Sequence, residues 1–177
     1  MTEQDASSRW YELENADEVF SPSILISPML VEENIDRMIR IAGAPDRLRP
    51  HVKTHKLSPI VRLQLEHGIT RFKCATLAEL VMTAAAGARD ILLAYPLVGP
   101  AVERFFETAA DHPEARMSAM TDNLTSCRKI EAVARRHGVV ARLFVDINSG
   151  MNRTGVAPGA PAVRLYRYIS ESEHLEA

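Results

Sequence analysis

The chain has 177 residues, of which 46% are hydrophobic, and carries a formal charge of −2. That balance supports a buried core and excludes a compositionally disordered chain. Near-zero charge leaves no electrostatic footprint for nucleic acid or an anionic membrane. The two cysteines, Cys74 and Cys127, form neither a metal-ligand nor a disulfide spacing and read as reduced thiols.

The first twenty residues, "MTEQDASSRWYELENADEVF", are polar and acidic. They lack the basic start and apolar stretch of a secretory signal. No apolar run is long enough to span a bilayer, so a cytoplasmic protein is expected. From residue 21 onward, short β-like runs alternate with helix-like runs. "SILIS" (23–27) precedes "MLVEENIDRMIRIAG", which places Leu30, Ile35, Met38 and Ile39 on one helical face. "LRPHVKTH" precedes "SPIVRLQLEHG", with Gly68 as the stop. "RFKCAT" precedes "LAELVMTAAAGA", where Thr76 and Glu79 have the spacing of a capping box. "DILLAY" precedes "GPAVERFFETAADH". "ARMSAM" precedes "DNLTSCRKIEAVARRHG", with Asp122 as the expected N-cap and Gly138 as the C′ residue. Last come "ARLFVDI", a polar loop, and a helix-like run to the end.

These are about six β/α units, spaced by roughly the 30 residues such units need. Strict alternation predicts a parallel sheet covered by helices. An open doubly wound sheet and a (β/α)8 barrel both fit the alternation. No G-x-G-x-x-G follows a strand, which weighs against the dinucleotide-binding version. A complete barrel takes eight units and about 250 residues. The expected fold is therefore an incomplete (β/α) barrel over residues 21–177, preceded by a separate segment, 1–20.

Two stretches carry chemistry. "RPHVKTHK" (49–56) is flanked by Pro50 and Pro59, and Val52 and Thr54 are β-branched, so it reads as a strand. On a strand His51 and His55 lie ~13 Å apart, too far to share one metal ion; on a helix they would lie ~6 Å apart. Strand alternation places Arg49, His51, Lys53 and His55 on one face. A lysine on the inner face of a barrel strand needs a job or a partner, and a covalent imine with a carbonyl group is one such job. A charged strand end in solvent fits the same pattern.

"VDINSGMNRTGV" (145–156) ends a strand and runs into a loop bracketed by Gly150 and Gly155. Leu143, Val145 and Ile147 alternate with Phe144, Asp146 and Asn148, which puts the carboxylate and amide opposite an aliphatic face. In parallel α/β folds ligands sit beyond the carboxyl ends of the strands. Arg153 offers a fixed cation there, and Asn152 a donor and an acceptor. An ordinary βα turn with Arg153 on the surface fits the bare pattern as well.

In order and spacing, "RPHVKTHK", "FKCATLAE", "ILLAYPLVGP" and "DINSGMNRTGV" resemble the D-threonine aldolase and D-serine dehydratase family, across about residues 20–170. These are pyridoxal-phosphate enzymes of the alanine-racemase type, fold type III. The resemblance implies a barrel holding the cofactor at the C-terminal mouth of its strands, plus a β-rich second domain. It implies that Lys53 is the lysine bonded to the cofactor, with Lys56 the second lysine of the motif. It places His51 and Arg49 on the Lys53 face, Asn152 and Arg153 near the cofactor ring, and Tyr95 on the pocket wall.

The implied activity is that of a lyase acting on 3-hydroxy-D-amino acids, either aldol cleavage to glycine and an aldehyde or dehydration. A non-catalytic pyridoxal-phosphate carrier, an inactive interaction module and an unrelated metal-dependent hydrolase using His51 and His55 are the alternatives. In the family the phosphate-binding loops, and a histidine and a cysteine that hold a divalent metal, lie in later segments than this sequence contains. His174 carries no sign of being such a ligand. An open barrel exposes strand edges, so self-association, as in a homodimer, is expected, and Trp10, Tyr11 and Phe20 are expected to lack their partners.

Overall fold

The computed structural model describes residues 11–177. The expectation for Trp10 therefore lies outside the described residues. The chain divides into two compact units, Met1–Gly43 and Ala44–Ala177. In the first, helix α1 (Pro28–Ala42) starts with proline at its first turn and stops at Gly43, whose φ of 87° suits glycine. Ile35 is buried on its apolar face, while Tyr11 and Phe20 are exposed. "SILIS" forms no strand.

The second unit is a five-stranded parallel sheet in the order β1 to β5. Its elements are α2 (Ser58–Glu66), β1 (Arg71–Cys74), α3 (Leu77–Ala85), β2 (Asp90–Pro96), α4 (Pro100–Asp111) and β3 (Arg116–Thr121). They continue with α5 (Leu124–His137), β4 (Ala141–Val145), α6 (Ala160–Ser170) and β5 (Leu175–Glu176). Every strand pairs with its neighbour in sequence. A doubly wound sheet reverses its order at a switch point; this one does not, and is the wall of a partial α/β barrel.

Period-2 alternation sorts the two faces of the sheet. Phe72, Cys74, Ile91, Leu93, Ala119 and Leu143 are buried, and α3, α5 and α6 pack against their strands. The opposite face is polar at its N-terminal end. Arg49 pairs with Asp90 at 2.7 Å and also donates to the Phe72 carbonyl. Arg142 pairs with Glu176, which Arg116 approaches at 3.6 Å, and Arg142 donates to Ser118 Oγ.

Four expectations change. "LRPHVKTH" is not a strand: one parallel bridge joins His51 to Lys73, and a 3₁₀ turn over Val52–Thr54 follows at once. Local bonds take the backbone a strand would have paired. The His51 carbonyl accepts from Thr54 Oγ1 at 3.0 Å, and the His51 ring accepts from Lys53 N. "SILIS" forms neither a strand nor an isolated bridge. The N-cap of α5 is Asn123, whose Oδ1 accepts from Ser126 N at 2.8 Å, and not Asp122. The final helix-like run ends at Ser170, and Leu175–Glu176 pairs with β4. The Thr76 cap forms as expected, with Thr76 Oγ1 accepting from Glu79 N, while the Glu79 carboxylate accepts from Ala75 N, one residue before the N-cap.

Candidate active site

Beyond the carboxyl ends of β1 to β4 lies an open cavity of about 560 Å³. That is within the ~300–1,000 Å³ range of small-molecule sites. Its walls come from stretches far apart in sequence. His51 and Lys53 stand on one side, with Lys73 near the end of β1 and Ala75 just beyond it. A register shift between Leu92 and Pro96 brings Ala94, Tyr95 and Pro96 to the rim. Met120 ends β3, and Asp146, Asn148 and Arg153 come from the long loop after β4.

The turn carrying Lys53 is latched by its neighbour. His51 Nδ1 accepts from Lys53 N at 3.3 Å, which assigns the ring proton to Nε2. Burial holds the His51 pKa below its usual value, and the charges of Lys53 and Lys73 push the same way. His55 makes the same local bond to Leu57 N, and burial lowers its pKa too. Its Nε2 is buried without a partner, and it does not line the cavity. Lys56, at φ 54°, faces a separate shallow pocket with Thr76, Glu79 and Met82. Arg49 is committed to Asp90 and Phe72, away from the cavity wall.

The loop after β4 is a closed structure. Asn148 N donates to the Val156 carbonyl and Val156 N to the Asp146 carbonyl, and Ile147 bridges Val156. Asn148 Oδ1 accepts from Gly150 N and Asn152 N, and its Nδ2 donates to Asn152 Oδ1 at 2.9 Å. Asn152 thus shapes the loop and does not line the cavity; Arg153, next to it, does. Gly155 closes the loop at φ 100°, where an added Cβ would stand 2.5 Å from Asn148 N. Asp122 accepts from Gly155 N, so the carboxylate expected at a helix cap serves this loop.

Two charged wall residues carry no site role in the sequence analysis. Lys73 is one; its signal was the alternation of Arg71 and Lys73 with the core residues Phe72 and Cys74. Asp146 is the other, placed on the polar face but given no role. Its Oδ2 is buried without a hydrogen-bond partner. An orphaned carboxylate oxygen among lysine and arginine side chains is an unfinished site, and that donor set fits an anionic ligand with a hydrogen-bonding edge.

Among known proteins, the family described as the N-terminal domain of alanine racemase matches residues 26–177. A D-threonine aldolase of an Arthrobacter species is 29% identical over 148 residues, covering 83% of this chain and 38% of that protein. The D-threo-3-hydroxyaspartate dehydratase of Delftia sp. (strain HT23) is 28% identical over 155 residues, covering 87% of this chain and 40% of that protein. The crystal structure of D-threonine aldolase from Filomicrobium marinum superposes with a TM-score of 0.82 at 29% identity, covering 91% of this chain and 43% of that one. The chain spans about two fifths of the length of the curated relatives it matches. The matched range contains the half-barrel, the cavity at its strand ends and every wall residue described above, and the chain belongs to the alanine racemase N-terminal domain family.

Proposed function

We propose that the cavity binds pyridoxal phosphate, held covalently at its aldehyde carbon by Lys53, and that the chain is the cofactor-holding part of a lyase for 3-hydroxy-D-amino acids. The observation that carries this reading is the convergence of Lys53, His51, Tyr95 and Arg153 on one cavity at the carboxyl ends of parallel strands. When bound, the cofactor supplies an electron sink for the substrate's α-carbon. Pairing that chemistry with a β-hydroxyl gives either cleavage of the Cα–Cβ bond or loss of the hydroxyl.

The chain's own residues divide the remaining work. The His51 ring holds Lys53 N and so sets where the Lys53 side chain departs from the turn. When not bonded to the cofactor, Lys53 Nζ would be the group to take the α-proton in a dehydration, or to return a proton to the α-carbon after Cα–Cβ cleavage. The Arg153 guanidinium supplies a fixed cation for an anionic oxygen on the cofactor ring. Asp146 Oδ2, buried and unpartnered, is the group to receive a protonated nitrogen or a hydroxyl. Tyr95 and Met120 form the less polar wall.

The sequence has lysines only at positions 53, 56, 73 and 129, which makes the test clean. The chain is incubated with pyridoxal phosphate, reduced with borohydride, digested and mapped by mass spectrometry. One tag per chain on Lys53 is expected. Tags spread over Lys56 and Lys129, or none on Lys53, overturn the reading.

A further inference from the structure

Two of the four lysines in the sequence line this one cavity, and the second has no task in the scheme above. We propose that Lys73 is a specificity residue that receives the side-chain carboxylate of a dicarboxylic substrate, so that the site favours 3-hydroxy-D-aspartate over D-threonine. The proposal rests on the cavity being the substrate site.

Lys73 is placed by β1, not by a loop. Its backbone N donates to the Pro50 carbonyl at 2.9 Å, and His51 is its bridge partner. Phe72 and Cys74 on either side are buried at 0% exposure and fix the strand's rotation, so the side chain between them must leave on the cavity face. It is half-buried, whereas Lys53 and Arg153 are exposed. None of the ion pairs among the described residues uses it. Its bridge partner, His51, carries no negative charge in either protonation state and so cannot neutralise it.

Three cations, Lys53, Lys73 and Arg153, thus face one carboxylate, Asp146. With Lys53 bonded to the cofactor and Arg153 on its ring, Lys73 is the cation left over. A partly desolvated ammonium facing a methyl group is an unpaired charge, and facing a carboxylate it is a charge-assisted pair. Sites discriminate strongly by leaving a buried polar group unpaired with the wrong ligand. A charged hydrogen bond of this kind corresponds to a preference of about 10- to 100-fold. The cofactor's phosphate is the other anion with the chemistry to meet Lys73.

The test uses acetylation footprinting and thermal shift on the whole chain, with and without pyridoxal phosphate. The probes are 3-hydroxy-D-aspartate, D-threonine and inorganic phosphate. Lys73 acetylation, read against Lys129, should slow with 3-hydroxy-D-aspartate at concentrations where D-threonine has no effect. The extra rise in melting temperature with the dicarboxylate should vanish in Lys73→Met and return in Lys73→Arg. Equal effects of the two amino acids, no effect of the dicarboxylate, or stronger protection by phosphate would each overturn the proposal. The borohydride tag on Lys53 reports the cofactor reading separately, so loss of one result leaves the other standing.

Discussion

Replacing Gly155 with alanine should disable the loop that carries Asp146 and Arg153. Two effects combine. At φ 100° an L side chain is strained, at a cost of about 1–3 kcal/mol. The added Cβ would also stand 2.5 Å from Asn148 N and 2.8 Å from the Ile147 carbonyl carbon, so backbone has to move. The atoms that move include those of the Asn148 to Val156 bond that closes the loop. Strain alone predicts a fall in melting temperature of about 2–12 °C, at ~2–4 °C per kcal/mol for a chain of this size. Gly150→Ala is the matched control. Its φ is 117°, but nothing lies within 4 Å of its Cβ, so it carries strain without the clash. Thermal denaturation followed by circular dichroism, with the Lys53 tag yield measured in parallel, separates the two. Gly155→Ala should lose more stability than Gly150→Ala and should lower tag yield. Equal melting temperatures and equal tagging in both variants would refute the close-approach argument.

Lys53→Ala should abolish the borohydride tag, while Lys56→Ala, whose side chain faces a different pocket, should only reduce it; the reverse result would exchange their roles. Arg153→Ala should weaken pyridoxal phosphate binding by about tenfold, the scale of one lost hydrogen bond to a charged group, read by equilibrium dialysis. His51 and His55 have pKa values lowered in the folded chain, so the unfolded chain binds more protons between those values and the ordinary 6.5. Stability should therefore be complete above about pH 6.5 and fall as the pH drops through that window. Urea midpoints at several pH values test this, and His55→Asn should flatten the slope. Thr76→Ala removes the α3 cap and should cost about 1 kcal/mol, read from the same urea curves.

The architecture was legible because several helices announce an end in the sequence. Thr76 and Glu79 are three apart, Gly138 follows the basic last turn of α5, and β1 to β4 alternate or run apolar between them. What failed depended on neighbours the sequence does not name. "RPHVKTHK" has the composition of a strand, but whether backbone pairs with another strand or with its own side chains is decided by His51 and Thr54 bonding locally. Lys53 reached the cavity all the same, through a turn and not by alternation. Asn152 looked like a ligand group because amides at loop tips often are; here it is spent on Asn148. Lys73 was hidden in plain alternation, since nothing in "RFKC" says that the strand ends beside His51.

The sequential order of the sheet also sets when the cavity comes into being. No strand waits for a distant partner; each joins a neighbour made just before it. Such a sheet suits growth from one edge as the chain leaves the ribosome. Lys53 and Arg153 are 100 positions apart, so at ~5–20 residues per second the lysine emerges roughly 5–20 s before the loop that supplies the other side of the cavity. During that interval neither Asp146 nor Arg153 stands beside the amine. On the reading proposed above, selectivity of Lys53 for one carbonyl partner would arrive only with the closing of the loop at Gly155.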